Sequence, residues 1–157
     1  MKRIILGITT AAVLSSSVFA NELYLSAGSA DFDGSSAIEY GFGYRGEKVF
    51  SNNIMIGLSG GMNIISVDNI NENIYAAECD LRLGYSYKDF ILYGEGTFLG
   101  HSGDSWNAIG FGGGGGLEYK AFKHVSFAAE YKTVSMNTNF DTTYTYSVGS
   151  GIITYKF

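Results

Sequence analysis

A few short stretches hold residue types that could do chemistry. His101-Ser102-Gly103-Asp104-Ser105 gathers an imidazole, a carboxylate and two hydroxyls, the groups of nucleophilic acyl transfer. Such groups act only when a rigid scaffold holds nucleophile, base and orienting acid in register. Neighbours in one polar loop are not held that way, so the stretch reads as a turn. If the chain is an enzyme, His101, Asp104 and Ser105 are its only plausible cluster. His124-Val125-Ser126 is a weaker pairing of the same kind. Asp31-Phe32-Asp33-Gly34 opens like a calcium loop, but the ligands that should follow at loop spacing are missing, and a plain turn is the better reading. The run Gly110-Phe111-Gly112-Gly113-Gly114-Gly115-Gly116 satisfies a loose G-x-G-x-x-G. No Lys-Ser/Thr follows it, and it reads as strand, where glycine marks a bend or a close backbone approach. Cys79 is the only cysteine, so no intramolecular disulfide can form, and on an apolar face it reads as a structural thiol. No catalytic residue, metal or cofactor is expected.

The main constellation is charged. Glu39, Glu78, Asp80, Arg82, Glu95, Glu118, Glu130 and Lys132 share the polar face of alternating segments. If that face lines a narrow interior, these groups must pair or hydrogen-bond, because an unpaired buried ion is costly. Arg82 and Lys132 are the natural partners of the carboxylates. A packed plug that fixes strand register is the preferred reading. A narrow proton or ion path is the alternative, disfavoured because side chains about fill an eight-stranded interior.

The elements that must position these residues are strands. Side chains in a strand alternate with period two. Ile38, Tyr40, Phe42 and Tyr44 lie opposite Glu39, Gly41, Gly43 and Arg45. Tyr75, Ala77, Cys79, Leu81, Leu83, Tyr85 and Tyr87 lie opposite Ala76, Glu78, Asp80, Arg82, Gly84 and Ser86. The pattern predicts eight strands: Glu22 to Ala30, Ser36 to Arg45, Asn53 to Asn63, Ile74 to Tyr87, Phe90 to Leu99, Asn107 to Lys120, His124 to Val134 and Tyr144 to Phe157. Tight turns are predicted at Tyr87-Lys88-Asp89 and Ala121-Phe122-Lys123. Longer polar links are predicted at Asp31 to Ser35, Ile64 to Asn73, Gly100 to Trp106 and Ser135 to Thr143. One link, Gly46 to Asn52, is long for the end on which it falls. The sequence has 22 Gly, 12 Tyr, 11 Phe and no Pro, which suits strands.

The N-terminus reads as an export signal. Lys2 and Arg3 precede an apolar run from Ile4 to Leu14, and Val18-Phe19-Ala20 permits cleavage before Asn21. Residues 1–20 are therefore read as signal peptide and 21–157 as one domain. The apolar run is too short for a transmembrane helix, which needs about 20 residues. Losing Lys2 and Arg3 leaves 8 of the 10 basic residues against 15 acidic ones, a net charge of −7. That sign excludes nucleic acid, whose binding rests on neutralising phosphates.

The final Ile153-Thr154-Tyr155-Lys156-Phe157 alternates and stops on an aromatic. With the strand alternation, the glycine-rich polar face and the clustered aromatics, it resembles the small OmpA/OmpX-type outer-membrane β-barrel family over the whole of residues 21–157. The resemblance implies an all-β, eight-stranded, antiparallel up-and-down transmembrane barrel in the cell outer membrane, with both termini in the periplasm. It implies a periplasmic aromatic belt of Tyr44, Tyr85, Tyr87, Phe90, Tyr119, Tyr155 and Phe157. Phe32, Trp106 and Phe140 would anchor at the outer belt. Expected partners are outer-membrane lipid and lipopolysaccharide, and the barrel-assembly machinery through Phe157; the barrel itself is expected to be a monomer. A non-enzymatic structural or surface-interaction role follows. The rivals are a narrow porin-like pore, a lipid A-modifying enzyme using His101, Asp104 and Ser105, and a soluble periplasmic ligand-binding barrel with its apolar face turned inward.

Overall fold

A computed structural model describes residues 20–67, 73–103 and 105–157. The predicted signal peptide falls outside them, apart from Ala20. The chain forms eight strands: β1 (Ala20–Phe32), β2 (Ser35–Val49), β3 (Ile54–Val67), β4 (Asn73–Tyr87), β5 (Phe90–Ser102), β6 (Asn107–Phe122), β7 (Val125–Thr138) and β8 (Thr143–Lys156). Each pairs antiparallel with the next, and β1 pairs with β8 from Glu22↔Lys156 to Phe32↔Tyr146, so the sheet closes in strict sequence order. Closure leaves no sheet edge, which is the condition for strands to sit in hydrocarbon, where an unpaired backbone group has no water to bond. Among the described residues no helix is long and apolar enough to cross a membrane.

Period-two alternation decides the two faces. Leu25, Leu92 and Phe111 point outward and are 65%, 66% and 70% exposed, while Arg82, Glu118 and Lys132 point inward and are buried. An apolar face of this extent is far beyond what a water-soluble monomer carries, so it meets lipid and the soluble-barrel alternative fails. The seven belt aromatics all lie on this outer face, near the end that carries the termini. Phe90 packs on Tyr119 with ring centroids 5.0 Å apart, and Tyr155 meets Phe157 edge-on at 5.6 Å.

The turns are tighter than the sequence suggests. β2 continues through Glu47 to Val49, so the long link predicted from Gly46 to Asn52 does not exist. Glu47 faces the lumen and Lys48 faces out, in unbroken alternation. The chain reverses over 50–53, where Phe50 donates to the Ile54 carbonyl and Asn53, at φ 66°, donates to the Phe50 carbonyl. At the opposite end, Asp33 and Gly34 have φ of 49° and 94°, the left-handed pair that a two-residue hairpin demands. Strands therefore absorb much of the predicted outer links, and three expectations change. His101 lies inside β5 and is buried in the lumen, not in a loop. Phe32 packs inward on His101 and Tyr146, at centroid distances of 5.7 and 5.0 Å. Trp106 meets Tyr144 edge-on at 6.3 Å, so of the three aromatics expected at the outer belt only Phe140 is exposed.

Candidate functional site in the lumen

The interior is layered along the barrel axis. At the end away from the termini it is apolar: Ile65, Ile74, Leu99, Val134, Met136 and Val148 pack across the bore, with Phe32, Val67, Trp106 and Tyr144 against them. Below this lid lies an acidic layer centred on Lys132. Its Nζ is 2.7 Å from Glu78 Oε2, 3.5 Å from Glu130 Oε1 and 3.9 Å from Asp80 Oδ1. Neutral donors satisfy the remaining carboxylate oxygens. Tyr24 donates to Glu78 at 3.1 Å, Tyr93 to Glu130 at 2.8 Å, and Ser59 and Thr97 to Asp80 at 3.0 and 2.8 Å. The Tyr146 hydroxyl donates to Glu39. Glu95 faces the same layer, half-buried, and its Oε1 has no hydrogen-bond partner among the described residues.

A guanidinium layer follows. Arg82, with no exposed surface, reaches Glu47 and Glu118 at 3.4 Å each and lies 3.7 Å from the centroid of the Tyr93 ring. Arg45 reaches Glu118 at 3.2 Å and stands over Tyr24 at 5.3 Å. Arginine suits this place because its flat fork can serve two carboxylates and stack on a ring at once. Glycines on the inner face of β6 make the room. A Cβ on Gly116 would collide with the Tyr93 hydroxyl, and one on Gly114 with Lys132. The glycine run is thus a close-approach device and not a phosphate cradle.

All eight residues of the predicted charge network face the lumen, in these two layers. Three more belong with them: Glu22, Arg45 and Glu47, each 2–3% exposed. Arg45 was legible from its place on the polar face of β2. Glu47 was hidden by the supposed link, and Glu22 by its nearness to the strand start. Carboxylate oxygens of Glu22, Glu47 and Glu118 lie within 4.8 Å of one another, a spacing that could hold a cation. Arg45, Arg82 and Lys156 already balance them, so no metal ion is required. No hydrogen bond joins His101 and Ser105, the two described members of the candidate acyl-transfer cluster. His101 Nδ1 is 2.7 Å from the Tyr144 hydroxyl inside the bore, Ser105 is exposed, and Asp104 lies outside the described residues. A cavity of about 10 Å³ lies between the layers, lined by Tyr24, Glu39, Arg45, Glu78, Asp80 and Lys132 among others. That is room for about one water.

A closed eight-stranded antiparallel barrel, apolar outside and charged inside, is the fold of the small outer-membrane β-barrels. No protein-family model matches the sequence, and no curated protein matches it significantly. Among solved structures, the crystal structure of Neisserial surface protein A is similar at a TM-score of 0.56 and 14% identity, over 88% of this chain and 97% of that one. The N-terminal β-barrel domain of Pseudomonas aeruginosa OprF matches at 0.47 and 14%, over 86% and 98%. Outer membrane protein OprG of the same organism matches at 0.44 and 14%, over 88% and 96%. At such identity the first of these supports the fold, and nothing finer.

Proposed function

We propose that this chain is a monomeric integral outer-membrane protein with a sealed lumen, serving a structural or surface-interaction role without catalysis. Residues 1–20 direct export, the termini lie in the periplasm, and Phe157 presents the chain to the barrel-assembly machinery. Lipid and lipopolysaccharide surround the outer face. The observation that carries this reading is the fully buried Arg82, locked between Glu47, Glu118 and the Tyr93 ring across the bore. A permeating ion would have to break these pairs and then cross an apolar lid at Ile65, Leu99 and Met136, which offers little beyond the His101–Tyr144 pair to replace its hydration shell. The test is planar-bilayer recording of the refolded protein. A silent bilayer is expected from samples that show the heat-shifted gel migration of a closed barrel. Discrete conductance steps from such samples would refute the seal.

A further inference from the structure

The lumen opens at the terminal end into a vestibule of about 170 Å³ whose charges are sorted by depth. On its floor are Glu22, Glu47 and Glu118, buried, with carboxylate oxygens within 4.8 Å of one another. Around its rim are Lys120, Lys123, His124 and Lys156, half-buried or exposed. Two polar atoms lining it have no hydrogen-bond partner among the described residues: Glu22 Oε2 and the hydroxyl of Thr154, a residue only 2% exposed. Buried polar groups are normally satisfied, so an unpartnered acceptor pair at an open cavity points to something that fills it.

The three carboxylates are not equivalent. Glu47 and Glu118 are held from the interior by buried guanidiniums. The cation on Glu22 is Lys156, at 3.2 Å, and its side chain is 41% exposed. Lys156 can swing out on its flexible stem, whereas Arg45 and Arg82 are buried and ion-paired. Glu22 is therefore the acid whose positive partner is exchangeable. A primary ammonium in place of the lysine would have three hydrogens to donate, with Glu22 Oε2 and Thr154 Oγ1 waiting as acceptors. The released Lys156 would join Lys120 and Lys123 as donors to an anion at the rim. His124 donates its Nδ1–H to the Lys156 carbonyl at 2.9 Å.

We propose that this vestibule binds a compact zwitterion, a primary ammonium joined by a short chain to a phosphate, as in phosphoethanolamine. The ammonium sits on Glu22 and Thr154, and the phosphate sits among Lys120, Lys123 and Lys156. As a phosphodiester headgroup the ligand is neutral and keeps the local charge unchanged, while the free monoester brings a small negative excess that the lysine rim can meet. A divalent ion would instead add two charges beside Arg45 and Arg82, and a bare phosphate would face the carboxylate floor. The cavity is smaller than a drug-sized pocket, which suits a small polar molecule. The ligand could be a lipid headgroup or a soluble compound.

The test is calorimetric titration of the detergent-refolded protein with O-phosphoethanolamine, ethylammonium and inorganic phosphate. The zwitterion is expected to bind at least tenfold more tightly than either half. Glu22→Gln should weaken it at least tenfold and Thr154→Val several-fold, with heat-shifted migration retained. If Glu22→Gln does not refold, Thr154→Val decides alone. The proposal is overturned if the zwitterion does not saturate the protein, if phosphate alone binds as well, or if the refolded variants bind like wild type. Repeating the titration in nanodiscs separates the two sources. Soluble ligand excluded by phosphatidylethanolamine but not by phosphatidylcholine assigns the site to a headgroup, and unchanged binding in both assigns it to a soluble compound; either sustains the site.

Discussion

Replacing Arg82 by Met isolates the energetic role of the guanidinium layer. Methionine is close enough in volume to fill the space and still pack on the Tyr93 ring, so the loss is mainly electrostatic. Arg82 has no exposed surface and serves two acids, Glu47 and Glu118, at 3.4 Å each. Removing one member of a buried ion pair costs about 3–5 kcal/mol, because the other charge is left uncompensated. Glu118 keeps Arg45 at 3.2 Å, whereas Glu47 has no second ion pair of its own among the described residues. The lower end of the range therefore applies, about 3 kcal/mol, or roughly a hundredfold in the folding equilibrium. Urea titration of the protein reconstituted in lipid vesicles would measure it. Trp106, the single tryptophan, and the heat-shifted band would serve as two independent probes. Adding Glu47→Gln to Arg82→Met removes the orphaned charge and should recover about 2 kcal/mol, which a double-mutant cycle would expose as coupling. The reasoning is refuted if Arg82→Met lies within about 1 kcal/mol of wild type, or if the double variant is no more stable than the single.

Two further outcomes follow from the same packing. Lys132→Met strips the shared cation from Glu78, Asp80 and Glu130, and should cost about 3–5 kcal/mol, seen as a sharp fall in refolding yield in vesicles. Gly116→Ala should cost about 1–3 kcal/mol by forcing a methyl into the Tyr93 hydroxyl, with the thermal midpoint of the folded band as readout. Gly96→Ala is its control, since nothing lies within 4 Å of a Cβ there, and should stay within about 0.5 kcal/mol of wild type.

Strand identity was legible because alternation is a local property. Glu78, Asp80 and Arg82 show their common face within one segment, and no partner strand is needed to see it. Segment ends were harder to read, because charge and glycine signal turns as well as lumen. Gly46-Glu47-Lys48 looked like a connection, yet Glu47 faces inward two residues after Arg45 in an unbroken strand. His101 misled for the converse reason. A histidine among Ser, Gly and Asp reads as loop, and only the extension of β5 to Ser102 turns it into the bore beside Tyr144 and Tyr146. The apolar lid escaped notice too. Ile65, Leu99 and Met136 come from different strands, and each looks unremarkable in its own segment.

The sequence by itself determined that the chain alternates, how many strands it makes, and which face of each carries charge, since all three follow from a two-residue period along a single strand. Only the tertiary structure decided which charges meet. Arg45 and Glu118 are 73 residues apart, and Tyr24 and Glu78 are separated by 54. Their contacts depend on the register of every intervening strand and on closure of β1 against β8, and on glycines that let the backbones draw close enough for side chains to reach across. The layered charge pairs of the bore and the depth-sorted vestibule are products of that closure, because facing side chains acquire their partners only when the sheet returns on itself.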